Sequence, residues 1–286
     1  MTKKILVPLD NSEISKELVK IADEWAQRSS AELFFLHVGT KEGKDGIEEN
    51  RRFSDFLNAM DIKAGYRFQF RTGTFYHEIL EQEQEIQPDL IIMGAHRHTM
   101  LGRMFLGSNT KYVIHHCACP VYVYKQQKLF FENKIIVPID YSEVNKPVVQ
   151  LADEWGQRTH SELYFIGVDP YPESSVKSYF PDVGIADTNS SAYQMEQEKI
   201  QTQIQHQESA LQRFVSSCEI KSKYHCMHKF GEPYIKILEL QKYIDAGLIV
   251  MAAHSHTMLS RLFIGSNTDY LLHHASCPMY VYKEGK

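Results

Sequence analysis

The order of apolar and polar positions predicts alternating strands and helices along the chain. Short apolar runs such as ILVPL at 5–9 are typical of strands buried on both faces of a parallel sheet. After Ser12, apolar residues return at helical spacing at Ile14, Leu18 and Trp25, which predicts a helix with Ser12 as its N-cap. The remaining predicted elements are strands at 33–38, 66–70, 90–93 and 121–124 and helices at 48–60, 76–85 and 108–117, the last with Ser108 as its N-cap.

This pattern occurs twice, and internal repeats determine the architecture. KKILVPLDNSE at Lys3 returns as NKIIVPIDYSE at Asn133, so that Asp140 stands 130 positions after Asp10. Nearer the C-terminus the separation is 158, between Gly107 and Gly265, so the second repeat contains 28 additional residues. The predicted domains are 1–127 and 131–286, with the insertion around 169–195.

Strands separated by helices predict βαβ crossovers, and hence an α/β fold with a parallel sheet covered on both faces. In the second repeat, a helix is expected at 195–217. The segment 171–191 before it is rich in Pro, Ser, Gly and Asp and predicts a long loop, either a disordered insertion, a lid or a partner surface. Pro147 stands where the first repeat has Glu17, and it predicts a helix that starts late or kinks.

Composition and charge narrow the classes of function. The 286 residues carry a formal net charge of -5, which argues against a general nucleic-acid binder. No apolar run approaches the roughly 20 residues needed to cross a membrane. The N-terminal MTKKILVPLD resembles a strand more than a signal peptide, and five cysteines without a CxxC motif indicate reduced thiols. These features predict a cytoplasmic protein with no nucleic-acid or membrane partner.

Two loops in each repeat are candidates for ligand binding. Ligands of open parallel sheets bind beyond the carboxyl ends of the strands, where strand order reverses. Gly107 and Ser108 open a predicted helix whose free N–H groups suit a phosphate, and Asp10 could accept hydrogen bonds from a ribose or an adenine amine. The alternative is that Ser12 and Ser108 only cap helices, Gly107 makes a turn and Asp10 anchors its loop.

Four stretches of each repeat together resemble the universal stress protein family. They are VPLDNSE, LFFLHV, Gly94-x2-Arg97-x9-Gly107-Ser108 and CPVYVYK, which return as VPIDYSE, LYFIGV, Ala252-x2-Ser255-x9-Gly265-Ser266 and CPMYVYK. The resemblance covers almost the whole chain apart from the long loop. It implies two tandem doubly wound domains, each with a five-stranded parallel sheet of order 3-2-1-4-5. It also implies that their last strands pair, as an internal pseudo-dimer. That pairing would bury both sheet edges and the tyrosines of these strands, which are Tyr122, Tyr124, Tyr280 and Tyr282.

The resemblance also implies a nucleotide site, because members of this family divide into ATP binders and non-binders. Binders resemble G-x2-G-x9-G-[ST]. The first repeat has Arg97 in place of the middle glycine, where it either fills the pocket or holds a phosphate with its guanidinium. In the second repeat, Ala252 and Ser255 would crowd a closely approaching phosphate. The implied cofactor-binding residues are Pro8, Asp10, Val38, Met93, Gly94, His96, Arg97, Gly107, Ser108 and Asn109 in the first repeat, and Asp140, Val168, Ala252, His254, Gly265, Ser266 and Asn267 in the second.

The sequence therefore predicts a cytosolic tandem universal stress protein that binds an adenine nucleotide, ATP or AMP, as a regulatory ligand. It is expected to be a monomer with an internal pseudo-dimer or a homodimer. One alternative is a member without nucleotide that acts through protein contacts, with 169–191 as a candidate surface.

A second alternative is a zinc-binding variant that uses the His-x-His loops at 96–98 and 254–256, although the spacing fits no zinc-finger pattern. Adjacent histidines on a helix point about 100° apart, so loop and surface roles are favoured over a metal site. No set of catalytic residues is recognisable, so at most slow ATP hydrolysis is expected.

Overall fold

The computed structural model describes residues 3–10, 12–39, 43–95, 106–125, 133–140, 142–170, 191–253 and 264–283. The chain divides into two compact units. The first unit comprises Met1–Leu129 and Ala252–Lys286, and the second comprises Phe130–Met251. The C-terminal segment of the second repeat therefore belongs to the first unit. Within the described ranges, no helix combines the length and apolar character that crossing a membrane requires.

Strands and helices alternate as the sequence pattern predicts. In chain order the elements are β1 (Lys4–Leu9), α1 (Ile14–Ser29), β2 (Glu32–Gly39), α2 (Gly43–Asn58), β3 (Tyr66–Thr72), α3 (Phe75–Ile86), β4 (Leu90–Gly94), α4 (Ser108–His116), β5 (Val121–Tyr124), β6 (Lys134–Pro138), α5 (Asn145–Thr159), β7 (Glu162–Asp169), α6 (Ser191–Ser216), β8 (Tyr224–Phe230), α7 (Pro233–Ile244), β9 (Leu248–Ala252), α8 (Ser266–His274) and β10 (Met279–Tyr282).

The sheet order of the first unit is β3-β2-β1-β4-β5-β10, which confirms the predicted order 3-2-1-4-5 for the first repeat. In the second unit the order β8-β7-β6-β9 repeats the first four positions. Strands β1 to β5 pair in parallel, as short apolar strands joined by helical crossovers must. The central strand β1 is almost completely buried because helices cover both faces of the sheet.

The last strands of the two repeats pair antiparallel inside the first unit, as predicted. Tyr122 lies opposite Tyr280 in the register of β5 and β10. The indole of Trp25, on α1, packs edge-on against Tyr122 with ring centroids 4.8 Å apart and stacks with Tyr280 at 6.4 Å. Both tyrosines are buried, so the pairing covers the edge of each strand.

A lysine follows each of these strands and is buried. Lys125 is 1% exposed, and its Nζ donates a hydrogen bond of 2.7 Å to the carbonyl of Ala275, at the C-terminus of α8. Lys283 is 5% exposed, and its Nζ donates to the carbonyls of Ile114 and Cys117, both at 2.6 Å, at the C-terminus of α4. A cation at this end of a helix satisfies carbonyls that have no helical partner and complements their partial negative charge. Each repeat therefore anchors the other repeat's helix.

Both predicted serine N-caps are wrong. The N-cap of α1 is Glu13, and the hydroxyl of Ser12 instead donates to the carboxylate of Asp10. The N-cap of α4 is Gly107, so Ser108 is the first helical residue. In both places a neighbouring residue takes the position just before the helix, which the sequence rule locates only to within a residue.

Helix ends also differ from the pattern. α2 begins at Gly43, five residues before the predicted start, because its first turn is polar and carries little apolar periodicity. α6 begins at Ser191 rather than at 195. Pro147 lies in the first turn of α5, where a backbone N–H has no helical acceptor, so the helix accommodates the proline. The predicted long loop lies almost entirely outside the described residues.

Lys125 makes the stability of the fold depend on pH in the alkaline range. Burial lowers the pKa of Lys125 from 10.5 to about 8. Between pH 8 and pH 10.5, Lys125 is protonated in the unfolded chain but largely neutral in the folded chain. The buried charge therefore destabilises the folded protein fully below pH 8, and this destabilisation decreases as pH rises. Between pH 8 and pH 9.5, the free energy of unfolding of the wild type should rise by about 1–2 kcal/mol relative to that of Lys125→Met. Urea unfolding at each pH measures this difference. Identical pH dependence of the two proteins would contradict this account.

Candidate functional site

A crevice lies at the carboxyl ends of β1 and β4, which are neighbours in the sheet. Strand order reverses at this point, because β1 lies between β2 and β4. This is where open parallel sheets bind ligands. The structure brings four of the predicted residues together here, namely Pro8, Asp10, Met93 and Gly94. The crevice is also lined by Ser12, Ile14, Leu18, Phe75 and Thr110.

The carboxylate of Asp10 orders the turn between β1 and α1. Its Oδ1 accepts hydrogen bonds from the backbone N–H of Ser12 at 2.9 Å, from the Ser12 hydroxyl, and from the Ser15 hydroxyl at 3.0 Å. In the second unit, Asp140 accepts from the N–H and the hydroxyl of Ser142 at 3.0 and 2.6 Å. Asp10 therefore anchors its loop in this structure, as the alternative interpretation of the sequence expected. An ionised carboxylate has about four acceptor positions, so this role is compatible with further bonds to a ligand.

The first turn of α4 borders the same crevice. Gly107 has φ −61° and ψ 149°, an extended conformation open to any residue, so its backbone does not demand glycine. The side chain of Ser108 is exposed, and that of Asn109 is half-buried. Thr110, which is buried, donates from Oγ1 to the carbonyl of Gly94 at 3.1 Å and ties α4 to the end of β4. Through Thr110 the first turn of α4, whose N–H groups have no acceptor within the helix, thus lies next to the crevice.

Gly94 makes room for α1. A Cβ at this position would lie 2.8 Å from Cγ2 of Ile14 and 3.6 Å from Cδ1 of Leu18. The resemblance assigned this glycine to a closely approaching phosphate, whereas here the space that it leaves is filled by Ile14. The second repeat has Ala252 in place of Gly94 and a smaller residue, Val144, in place of Ile14. Ile14 is 9% exposed and Val144 is 37% exposed.

The crevice is small. Its volume is about 20 Å³, which is room for roughly one water molecule. Pockets for organic ligands and cofactors usually measure about 300–1,000 Å³. A nucleotide could therefore enter only if lining side chains move outward, and Ile14 at the start of α1 is one of them.

A larger open groove of about 530 Å³ lies in the first unit between α2, the end of β3 and the start of α3. The arginine that lines it is Arg71, whose guanidinium lies 3.6, 3.4 and 2.5 Å from the carboxylates of Glu78, Glu81 and Glu85. These acids neutralise the cation that a phosphate would need. The groove is larger, but its cation is already neutralised, so the crevice is the stronger candidate site for a nucleotide.

Val38, another predicted residue, lies on β2 opposite Arg71 and does not line the crevice. Its neighbour His37 was not singled out in the sequence. His37 is 3% exposed, and its ring nitrogens lie 2.9 Å from the carbonyl of Leu9 and 3.0 Å from Oε1 of Glu49. These contacts hold the end of β1 where Asp10 follows.

Sequence reasoning also missed Ile14 and Thr110 as lining residues. A signal for each existed in the repeats. Where the first repeat has Gly94 and Ile14, the second has the larger Ala252 and the smaller Val144, so the two positions change together. Thr110 is repeated as Thr268.

The remaining predicted residues cannot be assembled into one described site. His96, Arg97 and His254 lie outside the described residues, as do the other members of the His-x-His loops. In the second repeat, Asp140 and Val168 belong to the second unit, whereas Ala252, Gly265, Ser266 and Asn267 belong to the first. In the described ranges, no three His, Cys, Asp or Glu side chains converge as a metal site would require.

The packing of Gly94 against Ile14 predicts a coupled change in stability. Gly94→Ala should lower the free energy of unfolding by about 1–3 kcal/mol, because the new methyl group meets Cγ2 of Ile14. In an Ile14→Ala background the same substitution should cost much less. Gly265→Ala is a matched control, since among the described residues its Cβ would meet the carbonyl of Ala253 at an ordinary 3.4 Å. Urea unfolding of the single and double variants measures the coupling, and additive costs would contradict it.

Comparisons with known proteins agree with this architecture. The model of the universal stress protein family matches residues 1–52, 61–125 and 132–283. Universal stress protein Sll1388 of Synechocystis sp. is 29% identical over 153 residues, which are 52% of this chain and 96% of that protein. Universal stress protein E of Photorhabdus laumondii is 23% identical over 217 residues, or 73% of this chain and 65% of that protein.

Solved structures show the same fold. A universal stress protein from Archaeoglobus fulgidus has a TM-score of 0.65 at 20% identity, over 99% of this chain and 98% of that one. A functionally unknown protein from Pseudomonas aeruginosa has a TM-score of 0.72 at 15% identity, over 99% and 92% of the two chains. Because the family model covers nearly the whole chain in two successive copies of one fold, this protein belongs to the universal stress protein family as a tandem member.

Proposed function

We propose that this protein binds an adenine nucleotide, ATP or AMP, in the crevice of its first repeat, as a regulatory ligand in the cytosol. The observation that carries the proposal is the position of Asp10 and the start of α4 on the same crevice, at the point where strand order reverses. Asp10 would accept hydrogen bonds from the ribose or the adenine amine, and the N–H groups at Ser108 and Asn109 would receive the phosphates. The family includes nucleotide-binding members.

Binding requires the crevice to open at α1. Ile14 is the first residue of that helix, and its N-cap residue Glu13 makes no side-chain capping bond. One wall of the crevice is therefore a helix end, which moves at lower cost than a strand in the sheet. The cost of opening subtracts from affinity, so the bound state is a minor conformation of the free protein that the ligand selects.

A regulatory role fits the site better than catalysis. Phosphoryl transfer needs carboxylates for a metal ion and a positioned base. The acid that lines the crevice is Asp10, and its carboxylate already orders the turn at Ser12 and Ser15. We therefore propose a binding site that at most hydrolyses ATP slowly.

A second candidate function follows from the small volume of the crevice. If the crevice does not open, the protein acts without nucleotide and through protein contacts. All five cysteines carry free thiols, which is consistent with a cytosolic location for either function.

Isothermal titration of the full-length protein with ATP, AMP and GTP tests the proposal. ATP or AMP should bind more tightly than GTP. Ile14→Ala should bind the adenine nucleotide about three- to tenfold more tightly, because a side chain that narrows the crevice beside Gly94 is removed. Val144→Ala, the equivalent change at an exposed position of the second repeat, is the control and should leave this affinity unchanged. No heat of binding for either protein at millimolar nucleotide would support the second candidate instead.

A further inference from the structure

Helices α4 and α8 meet at equivalent positions of the two repeats. Lys111 and Asp269 are 158 positions apart, which is the separation of the repeats in this region. The Nζ of Lys111 lies 3.1 Å from Oδ2 of Asp269. A contact between equivalent residues lies on the local twofold axis that relates the two segments. The strand register agrees, since Tyr122 and Tyr280 are also equivalent and lie opposite each other.

A twofold position has a strong consequence for partner choice. Two identical segments place each residue on the axis against a copy of itself. A pair of first repeats would bring Lys111 against a second Lys111, and a pair of second repeats would bring two copies of Asp269 together. Only unlike repeats place opposite charges at this point, and like charges in direct contact are unfavourable.

The histidines beside this pair show the same asymmetry. His115 Nε2 lies 3.0 Å from Oδ1 of Asp269. Burial alone would raise the pKa of Asp269, but hydrogen bonds from His115 and Lys111 outweigh burial and leave that pKa lowered. For the equivalent His273, burial lowers the pKa, and the charge of Lys111 lowers it further against the opposing effect of Asp269. The carboxylate of Asp269 thus accepts hydrogen bonds from two side chains of the first repeat.

The other described contacts between the segments carry the same charges in both repeats. The tyrosines on the axis are the same in both, and each strand is followed by a buried lysine that binds the opposite helix terminus. Identical repeats could also make these contacts, although the 3.5 Å contact of Lys283 Nζ with Sγ of Cys117 has no counterpart at Ala275. We propose that the Lys111–Asp269 pair makes this surface selective for unlike repeats, so that the segment 108–125 takes a partner with an acid at its twofold position and rejects a second copy of itself.

The first test uses the intact chain. Lys111→Asp and Asp269→Lys each place like charges together, so each should lower Tm by about 2–5 °C. The double variant K111D/D269K exchanges the charges and should recover at least half of the combined loss. If Tm of the double variant falls by as much as the two single variants lose together, the two charges do not interact and the proposal is wrong.

The second test measures partner choice directly. A chain with a protease site inserted at 126–132 is folded, cleaved between the repeats, then unfolded and refolded, and native mass spectrometry counts complexes of unlike and like halves. Wild type and K111D/D269K should favour unlike halves about fivefold more than Lys111→Asp does, in which every pairing brings two acids together. Equal ratios in wild type and Lys111→Asp would overturn the proposal. If the halves do not refold, the intact-chain series decides.

Discussion

Two buried lysine ammonium groups hold helices α4 and α8 in place at their C-termini. A buried charge is costly unless hydrogen-bonded groups surround it, and the C-termini of α4 and α8 supply such groups as unpaired carbonyls. Lys283 binds the end of α4, and Lys125 binds the end of α8. Each helix therefore begins at a predicted phosphate-binding residue, Ser108 or Ser266, and ends on a lysine from the other repeat. The position of each helix start depends on both repeats, which gives a physical reason for joining them in one chain.

The position of α4 also affects the shape of the crevice. Thr110 holds α4 to the carbonyl of Gly94, and the missing side chain of Gly94 admits Ile14. The wall formed by β4 and α4 is thus tied together, and the opening that we propose is at the other wall, where Ile14 begins α1. A glycine that resembles a phosphate-binding residue serves here as a packing residue. The two roles are compatible, because outward movement of Ile14 would uncover the same backbone for a ligand.

Most of the fold could be predicted from the sequence, since apolar runs and helical spacing report directly on burial. The strands predicted at 5–9, 33–38 and 121–124 lie within one residue of their observed bounds. The position of the strand-order reversal followed from the family resemblance and brought Asp10 and Gly94 to one place.

Features that depend on contacts between distant residues could not be read in the same way. Nothing near Lys125 or Lys283 in the sequence indicates that a lysine is buried, because its carbonyl partners lie about 150 positions or more away. The serines at 12 and 108 are good N-caps by type, but Asp10 engages Ser12 and the helix starts at Ser108 itself. The packing of Ile14 against Gly94 likewise depends on how α1 lies on β4, which spacing along the chain does not specify.

The central claim is that the first repeat holds an adenine nucleotide. Mass spectrometry of the small molecules released by denaturing freshly purified protein tests this claim most directly. The account predicts that an adenine nucleotide is released, and that millimolar ATP raises Tm of the emptied protein. Release of no adenine nucleotide, together with no change in Tm at millimolar ATP, would contradict it.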